Sequence, residues 1–239
     1  MPHGTGDWAD LIARSTVFGG IDLSELAVRL GSNNLWDRRG DTLFCEDFES
    51  GIEGVETIAG ADGSVEWSCE RCRGGGFSIK FTTPKTFILL DRLQKWLPCP
   101  VKSAIGGEVS VCTDDAVVYF EWLLRYYDGV DRYEFGIRYT LETEILEYYD
   151  GDWHNFAEDV KFYKEDYLFH TAKVVGDVRT GKYVRFIFDN VTYPMSKYSG
   201  YKVECDTTPV MDFKVEVLGT DEEHFVWWAD DLIITQNEP

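Results

Sequence analysis

The chain is short of positive charge: 23 lysines and arginines stand against 43 aspartates and glutamates, a formal net charge of −20. Nucleic-acid binding runs on Lys and Arg neutralising phosphates, so this balance excludes a nucleic-acid partner. Anionic membranes are disfavoured for the same reason, and no stretch approaches the roughly 20 apolar residues of a spanning helix. The residues after Met1 lack the basic start and apolar centre of a secretory signal, so export by that route is not expected.

Histidine is equally scarce. His3, His154, His170 and His224 lie far apart and show no metal-ligand spacing. No Gly-x-Ser-x-Gly, phosphate loop or dinucleotide fingerprint occurs, and Gly74, Gly75 and Gly76 precede a strand pattern rather than a helix. Six cysteines give only half of a zinc pattern, Cys69 and Cys72. Cys99 and Cys112 complete four thiolates only if the fold gathers them; otherwise they are core thiols or disulfide partners.

What the chain does have is aromatic surface, 15% of its residues, which together with β-branched side chains suits pleated sheets. At 239 residues it is long enough for one large core. From Asp41 onward the hydrophobic period is two. Strands are expected at 42–49, 65–69, 77–83, 107–112, 117–127, 133–141, 145–149, 167–175, 183–189, 201–204, 211–218 and 225–235. Turn signals such as Asp128-Gly129 and Asp150-Gly151 separate them. With no alternation of strands and helices, the class is all-β, a sandwich or barrel.

Residues 1–40 read differently. Leu23, Leu26, Ala27 and Leu30 fall on one helical face, with Asp22 or Ser24 to cap its start and Gly31 its end. The spacing predicts a short helix, either tucked against its own sandwich or carried on an arm that docks a neighbouring subunit through Leu23, Leu26 and Leu30. The expected organisation is an arm over 1–40 and a β-sandwich over 41–239.

Four segments, in order, resemble the concanavalin A-like (laminin-G-like) jelly rolls. They are Glu46-Asp47-Phe48-Glu49 with Gly51; Gly74 to Lys80; Phe169 to Asp177 followed by Thr180-Gly181-Lys182-Tyr183; and Trp228-Ala229-Asp230-Asp231. The resemblance implies a two-sheet antiparallel jelly-roll sandwich whose first and last strands lie side by side. It also implies a structural calcium held by Asp47, Glu49 and Asp230, with carbonyls and water completing the shell. Residues 20–51 are similar to the head of jelly-roll proteins carried by tailed bacteriophages, where such domains decorate capsids or serve as tail-associated adhesins. That implies a homo-oligomer in a virion, partnered by capsid or tail proteins.

Two site readings complete the sequence-based picture. Tyr127, Tyr149, Trp153 and His154 cluster near Asp-Gly turns, where exposed rings offer flat apolar platforms for a cell-surface glycan. Trp122 alternates with Phe120 and Leu124 and is expected to point inward. Glu142, Glu144 and Glu147 resemble the Glu-x-Asp-x-x-Glu strand of laminarinase-type glycosidases, but Glu144 replaces the Asp and the surroundings also read as a solvated hairpin. The expected role is therefore a non-enzymatic decoration protein of a phage-like particle. The alternatives are a carbohydrate-binding module of an extracellular polysaccharide-degrading system, or a glycoside hydrolase or lyase.

Overall fold

The computed structural model describes residues 39–60, 62–83, 90–98, 101–113, 117–164, 168–219 and 224–239. The proposed helix, with Leu23, Leu26 and Leu30, and Cys99 lie outside these residues. Sixteen strands are present among them, and no described helix is long and apolar enough to cross a membrane.

The chain begins with β1 (Asp41–Glu46), β2 (Glu56–Ile58), β3 (Ser64–Ser68), β4 (Ser78–Thr83), β5 (Leu90–Pro98) and β6 (Ala104–Thr113). It continues through β7 (Val117–Tyr127), β8 (Asp131–Thr140), β9 (Ile145–Tyr149), β10 (Trp153–Ala157) and β11 (His170–Asp177). It closes with β12 (Lys182–Phe188), β13 (Val191–Pro194), β14 (Tyr201–Glu204), β15 (Val210–Gly219) and β16 (Phe225–Gln236). Every strand pair is antiparallel, and the strands divide into two eight-stranded sheets. The first runs β13-β12-β11-β6-β16-β4-β3, with β1 on β16. The second runs β10-β9-β8-β7-β15-β5-β2, with β14 on β8. First and last strands are neighbours, as expected.

The core forms because alternate residues of each strand are large and apolar. Phe120, Trp122, Leu124 and Tyr126 of β7 meet Phe135, Ile137 and Tyr139 of β8 and Met211, Phe213, Val215 and Val217 of β15. Trp122 is fully buried, as its alternation predicted. The sheets approach closely where side chains are absent. A Cβ on Gly107 would collide with the Phe213 ring, and one on Gly176 with Phe135.

β16 changes phase midway: Phe225, Trp227 and Ala229 face the core, then Leu232 and Ile234. A bulge between Asp230 and Ile233, with Asp231 at φ 51°, supplies the extra residue.

Four strands, β2, β5, β10 and β13, were not among those expected, and the first expected strand ends early. β1 stops at Glu46 rather than 49, because Phe48 (φ 57°) turns into the core and its carbonyl accepts the Trp67 indole N–H at 2.6 Å. β5 was not foreseen, because Asp91 sits on its core-facing phase and breaks the alternation. Its buried carboxylate accepts from Gly60 N, Thr83 Oγ1 and Trp227 Nε1 at 2.6–2.9 Å.

Candidate functional site

The solvent-side face of the second sheet is built by the other phase of the same strands. β15 reads Met-Asp-Phe-Lys-Val-Glu-Val-Leu from Met211, so every second residue, Asp212, Lys214 and Glu216, turns away from the core. β7 contributes Tyr119, Glu121, Leu123, Arg125 and Tyr127, and β8 contributes Arg132, Glu134, Gly136 and Arg138. β5 adds Arg92, Gln94 and Trp96.

Register places these side chains in rows across the sheet. One row is Asn155, Glu147, Arg138, Glu121, Glu216 and Arg92; the next is Trp153, Tyr149, Gly136, Leu123, Lys214 and Gln94. A third holds Tyr201, Glu134, Arg125, Asp212 and Trp96.

Charges in the rows are paired. Arg125 Nη2 lies 2.6 Å from Asp212 Oδ2, which also accepts from Gln94 Nε2 at 2.7 Å. Arg138 Nη2 lies 2.5 Å from Glu121, and Glu216 takes both Arg92 at 2.5 Å and Lys214 at 2.8 Å. Burial raises the carboxyls of Asp212 and Glu121, opposed by Arg125 and Arg138 respectively. Burial also lowers the Lys214 ammonium, and Arg125 adds to that effect.

Aromatic rings flank the charges on both sides. Trp153 and Tyr149 rings lie 5.1 Å apart and Tyr201 stands edge-on to Tyr149 at 5.4 Å. Across the charged rows Trp96 and Tyr127 are 6.2 Å apart. The Trp153 ring extends over Gly136, where an added Cβ would sit 3.3 Å from its Cη2 and 2.9 Å from Leu123 Cδ2. The Arg138 guanidinium lies against that ring at 4.0 Å and against Tyr119 at 4.7 Å.

Of the four expected glycan residues, Tyr127, Tyr149 and Trp153 share this face. His154 does not: strand alternation turns it to the other side, against Tyr148 and Asp150. Tyr127 is also not the exposed ring expected beside its Asp-Gly turn; it is only 6% exposed.

The carboxylates Glu142, Glu144 and Glu147 do not share the single strand that the glycosidase resemblance implies; the stretch is a hairpin, the other reading of its surroundings. Glu142 and Glu144 lie in the turn between β8 and β9, where Glu144 adopts φ 56° and pairs with Lys161. Only Glu147 reaches the face, opposite Arg138. The backbone reverses at Thr140, so spacing along a strand does not apply to these residues.

Asp47, Glu49 and Asp230 accept backbone N–H groups. Asp47 Oδ1 caps Glu49 N at 3.1 Å, and Glu49 Oε1 receives Gly76 N and Phe77 N at 2.7 and 2.9 Å. Asp230 receives Arg73 N at 2.7 Å and Asp231 N at 2.8 Å. Among the described residues no three His, Cys, Asp or Glu side chains gather as a metal-holding group. Cys45, Cys69, Cys72, Cys112 and Cys205 are free thiols. His170 is a satisfied structural residue, bonded to Asp189 Oδ2 at 2.6 Å and accepting Tyr163 N at 2.9 Å.

The charged residues of the face were missed by sequence reasoning, although the signal was present. Asp212-x-Lys214-x-Glu216 and Glu121-x-x-x-Arg125 sit in the polar phase of two strongly alternating strands.

The class this architecture defines is an all-β, two-sheet antiparallel sandwich of jelly-roll form. No protein-family model matches the chain, and no curated protein matches its sequence. Solved structures of similar fold include an endo-β-1,4-glucuronan lyase from the fungus Trichoderma reesei, at 11% identity and TM-score 0.55, covering 82% of this chain and 96% of that one. A carbohydrate esterase of the Shiga toxin-encoding bacteriophage phi24B matches at 12% identity and TM-score 0.51, covering 83% and 100%. The Emp46p carbohydrate recognition domain in its potassium-bound form matches at 10% identity and TM-score 0.50, covering 80% and 92%. These likenesses establish a common fold.

Proposed function

We propose that the protein binds a glycan laid across the outer face of the second sheet, with Trp153 as the principal platform. The observation that carries this reading is the Trp153 ring lying over Gly136 on the sheet, with Arg138 held against it at 4.0 Å. A flat, partly exposed ring beside fixed hydrogen-bonding groups suits a sugar, whose C–H face stacks while its hydroxyls find Glu147, Asn155 and Arg138. The similar folds named for glucuronan cleavage, carbohydrate esterase activity and carbohydrate recognition agree with this reading in kind.

Glycan-array screening followed by calorimetry on the full chain tests it. Trp153→Ala is expected to weaken binding about tenfold or more, equivalent to about 1.4 kcal/mol, without changing thermal stability by more than a few degrees. Unchanged affinity in the variant, or no glycan bound by the parent, rules the site out.

A second reading, a decoration protein docked on a phage-like particle through residues 1–40, is favoured by the fold shared with a protein of phage phi24B. It predicts a homo-oligomer that loses assembly when those residues are deleted; a monomer unaffected by the deletion would count against it.

A further inference from the structure

A second exposed tryptophan stands on the same face, at the opposite end of the charged rows. Trp96 of β5 is 38% exposed, and its indole N–H donates to Glu56 Oε2 at 3.2 Å, which orients the ring. Register puts it at the end of the row that starts at Tyr201 and passes through Glu134, Arg125 and Asp212. That row crosses β14, β8, β7, β15 and β5, so at a strand spacing of about 4.8 Å its two rings lie about 19 Å apart. Tyr201 packs on Tyr149 and Tyr149 on Trp153, which makes Tyr201 the near edge of the Trp153 platform. The strand spacing is close to the length of one pyranose unit in an extended chain. A glycan running across the strands therefore sets about one sugar over each.

The floor between the two platforms is a layer of matched charges. Among the described residues its cations are Arg92, Arg125, Arg132, Arg138 and Lys214. Arg125 is held by Asp212, Arg138 by Glu121, and both Arg92 and Lys214 by Glu216; Arg132 lies 3.4 Å from Glu134. Asp212 is fully buried and Glu216 is 5% exposed. An anionic ligand could engage these cations only by drawing them from buried carboxylates, which is strongly destabilising. Glu56, beside Gln94, and Glu147, opposite Arg138, add further negative charge to the face. The chain as a whole carries −20, so its field repels a polyanion before contact. Ionised carboxylates only accept hydrogen bonds, and sugar hydroxyls supply the matching donors.

We infer that the ligand is an uncharged polysaccharide bound along its length, with about five consecutive sugars spanning the strands between Trp153 and Trp96. Trp96 is the second platform. The inference rests on the glycan-binding reading above and narrows it to a ligand class, a minimum length and a further binding residue. The two rings stack on sugars near the ends of the bound stretch, and the paired charges beneath offer hydrogen bonds to hydroxyls without favouring either sign of charge.

The full chain is titrated by calorimetry with neutral polymers (xylan, laminarin, galactomannan), with polyglucuronate and alginate as acidic ones, and with chitosan as a basic one. Titrations at about 50 and 500 mM salt separate charge-driven from charge-independent binding. A neutral polymer is expected to bind, with affinity changing less than about twofold over that range. Oligosaccharides of the polymer that binds should gain affinity from the disaccharide up to about five sugars and then level off. Trp96→Ala, folded by circular dichroism, should weaken hexasaccharide binding about tenfold, to near the parent's affinity for the trisaccharide. Preference for a uronate or for chitosan, or a plateau at two or three sugars, overturns the inference; so does undiminished hexasaccharide binding in Trp96→Ala. The glycan reading survives each of these if Trp153→Ala still weakens binding. Absence of binding to all six polymers and to the array overturns both.

Discussion

Lys173 illustrates how much individual charges matter away from the proposed site. It lies on the outer phase of β11, fully buried, with Nζ 2.8 Å from Glu238 Oε1 and 3.9 Å from Glu108 Oε2. Glu238 is gripped from its other oxygen by Arg185, whose second amino group reaches the Pro239 carbonyl at 2.7 Å. The last residues are thus clamped over Gly106, which has no side chain to obstruct them. Lys173→Met removes a cation and leaves two buried carboxylates, at a cost of about 3–5 kcal/mol. Urea unfolding should show a lower midpoint with an unchanged slope; a loss below about 1 kcal/mol would mean the clamp adds little. Sequence placed Lys173 on a strand but gave no hint of its burial, because its partners lie 65 residues away in Glu108 and in Glu238 at the chain's far end. Trp122, whose environment is set by its immediate alternation, was read correctly.

Strands β8 and β9 are joined by a side chain as well as by their ladder. The Tyr183 hydroxyl, from β12 of the opposite sheet, lies 2.8 Å from the carbonyls of both Gly136 and Tyr149 and accepts the Gly136 N–H at 2.9 Å. Burial raises its phenol far above the ordinary value, so it stays a donor throughout the accessible pH range. Tyr183→Phe is expected to cost about 1–3 kcal/mol and to speed hydrogen exchange selectively at Gly136 and Tyr149; a uniform change across the sheet would contradict this role. The same element scale shows where legibility ends. β7, β9 and β14 match their expected bounds because alternation is clean and Asp-Gly turns or charged breaks flank them. β5 was invisible because Asp91 is satisfied by partners on three other segments. The break at Glu142–Glu144 was legible as charged residues splitting two apolar runs, and only the laminarinase-like spacing pointed to a continuous strand.

For the whole molecule, buried carboxyls set the response to pH. Burial and the neighbouring Asp231 push Asp230 up to about 7. The unfolded chain releases that proton near pH 4, so between about pH 4 and 7 the native state holds more protons. Stability therefore falls as pH rises through this window. Burial raises Asp91, Glu121 and Asp212 as well, with the same sign. Asp128, lowered to about 2 by Lys102, acts oppositely and only below about pH 4. The melting temperature should be higher near pH 5 than near pH 8, and Asp230→Asn should flatten the difference; an equal slope in the variant would remove Asp230 as a cause. At this scale the sandwich was legible from period and turns, whereas the site was only half so. Its aromatic side could be read from Tyr149 and Trp153, but its charged rows arise from the register of β5, β7, β8 and β15, which no single segment encodes. The central claim, a glycan platform at Trp153, is tested most directly by following the indole N–H signals of the eight tryptophans while titrating the glycan selected on the array. The account predicts that Trp153 shifts and that Trp67, 45% exposed and stacked on Phe77 at the edge of the other sheet, does not. A shift at Trp67 with Trp153 unmoved would contradict it.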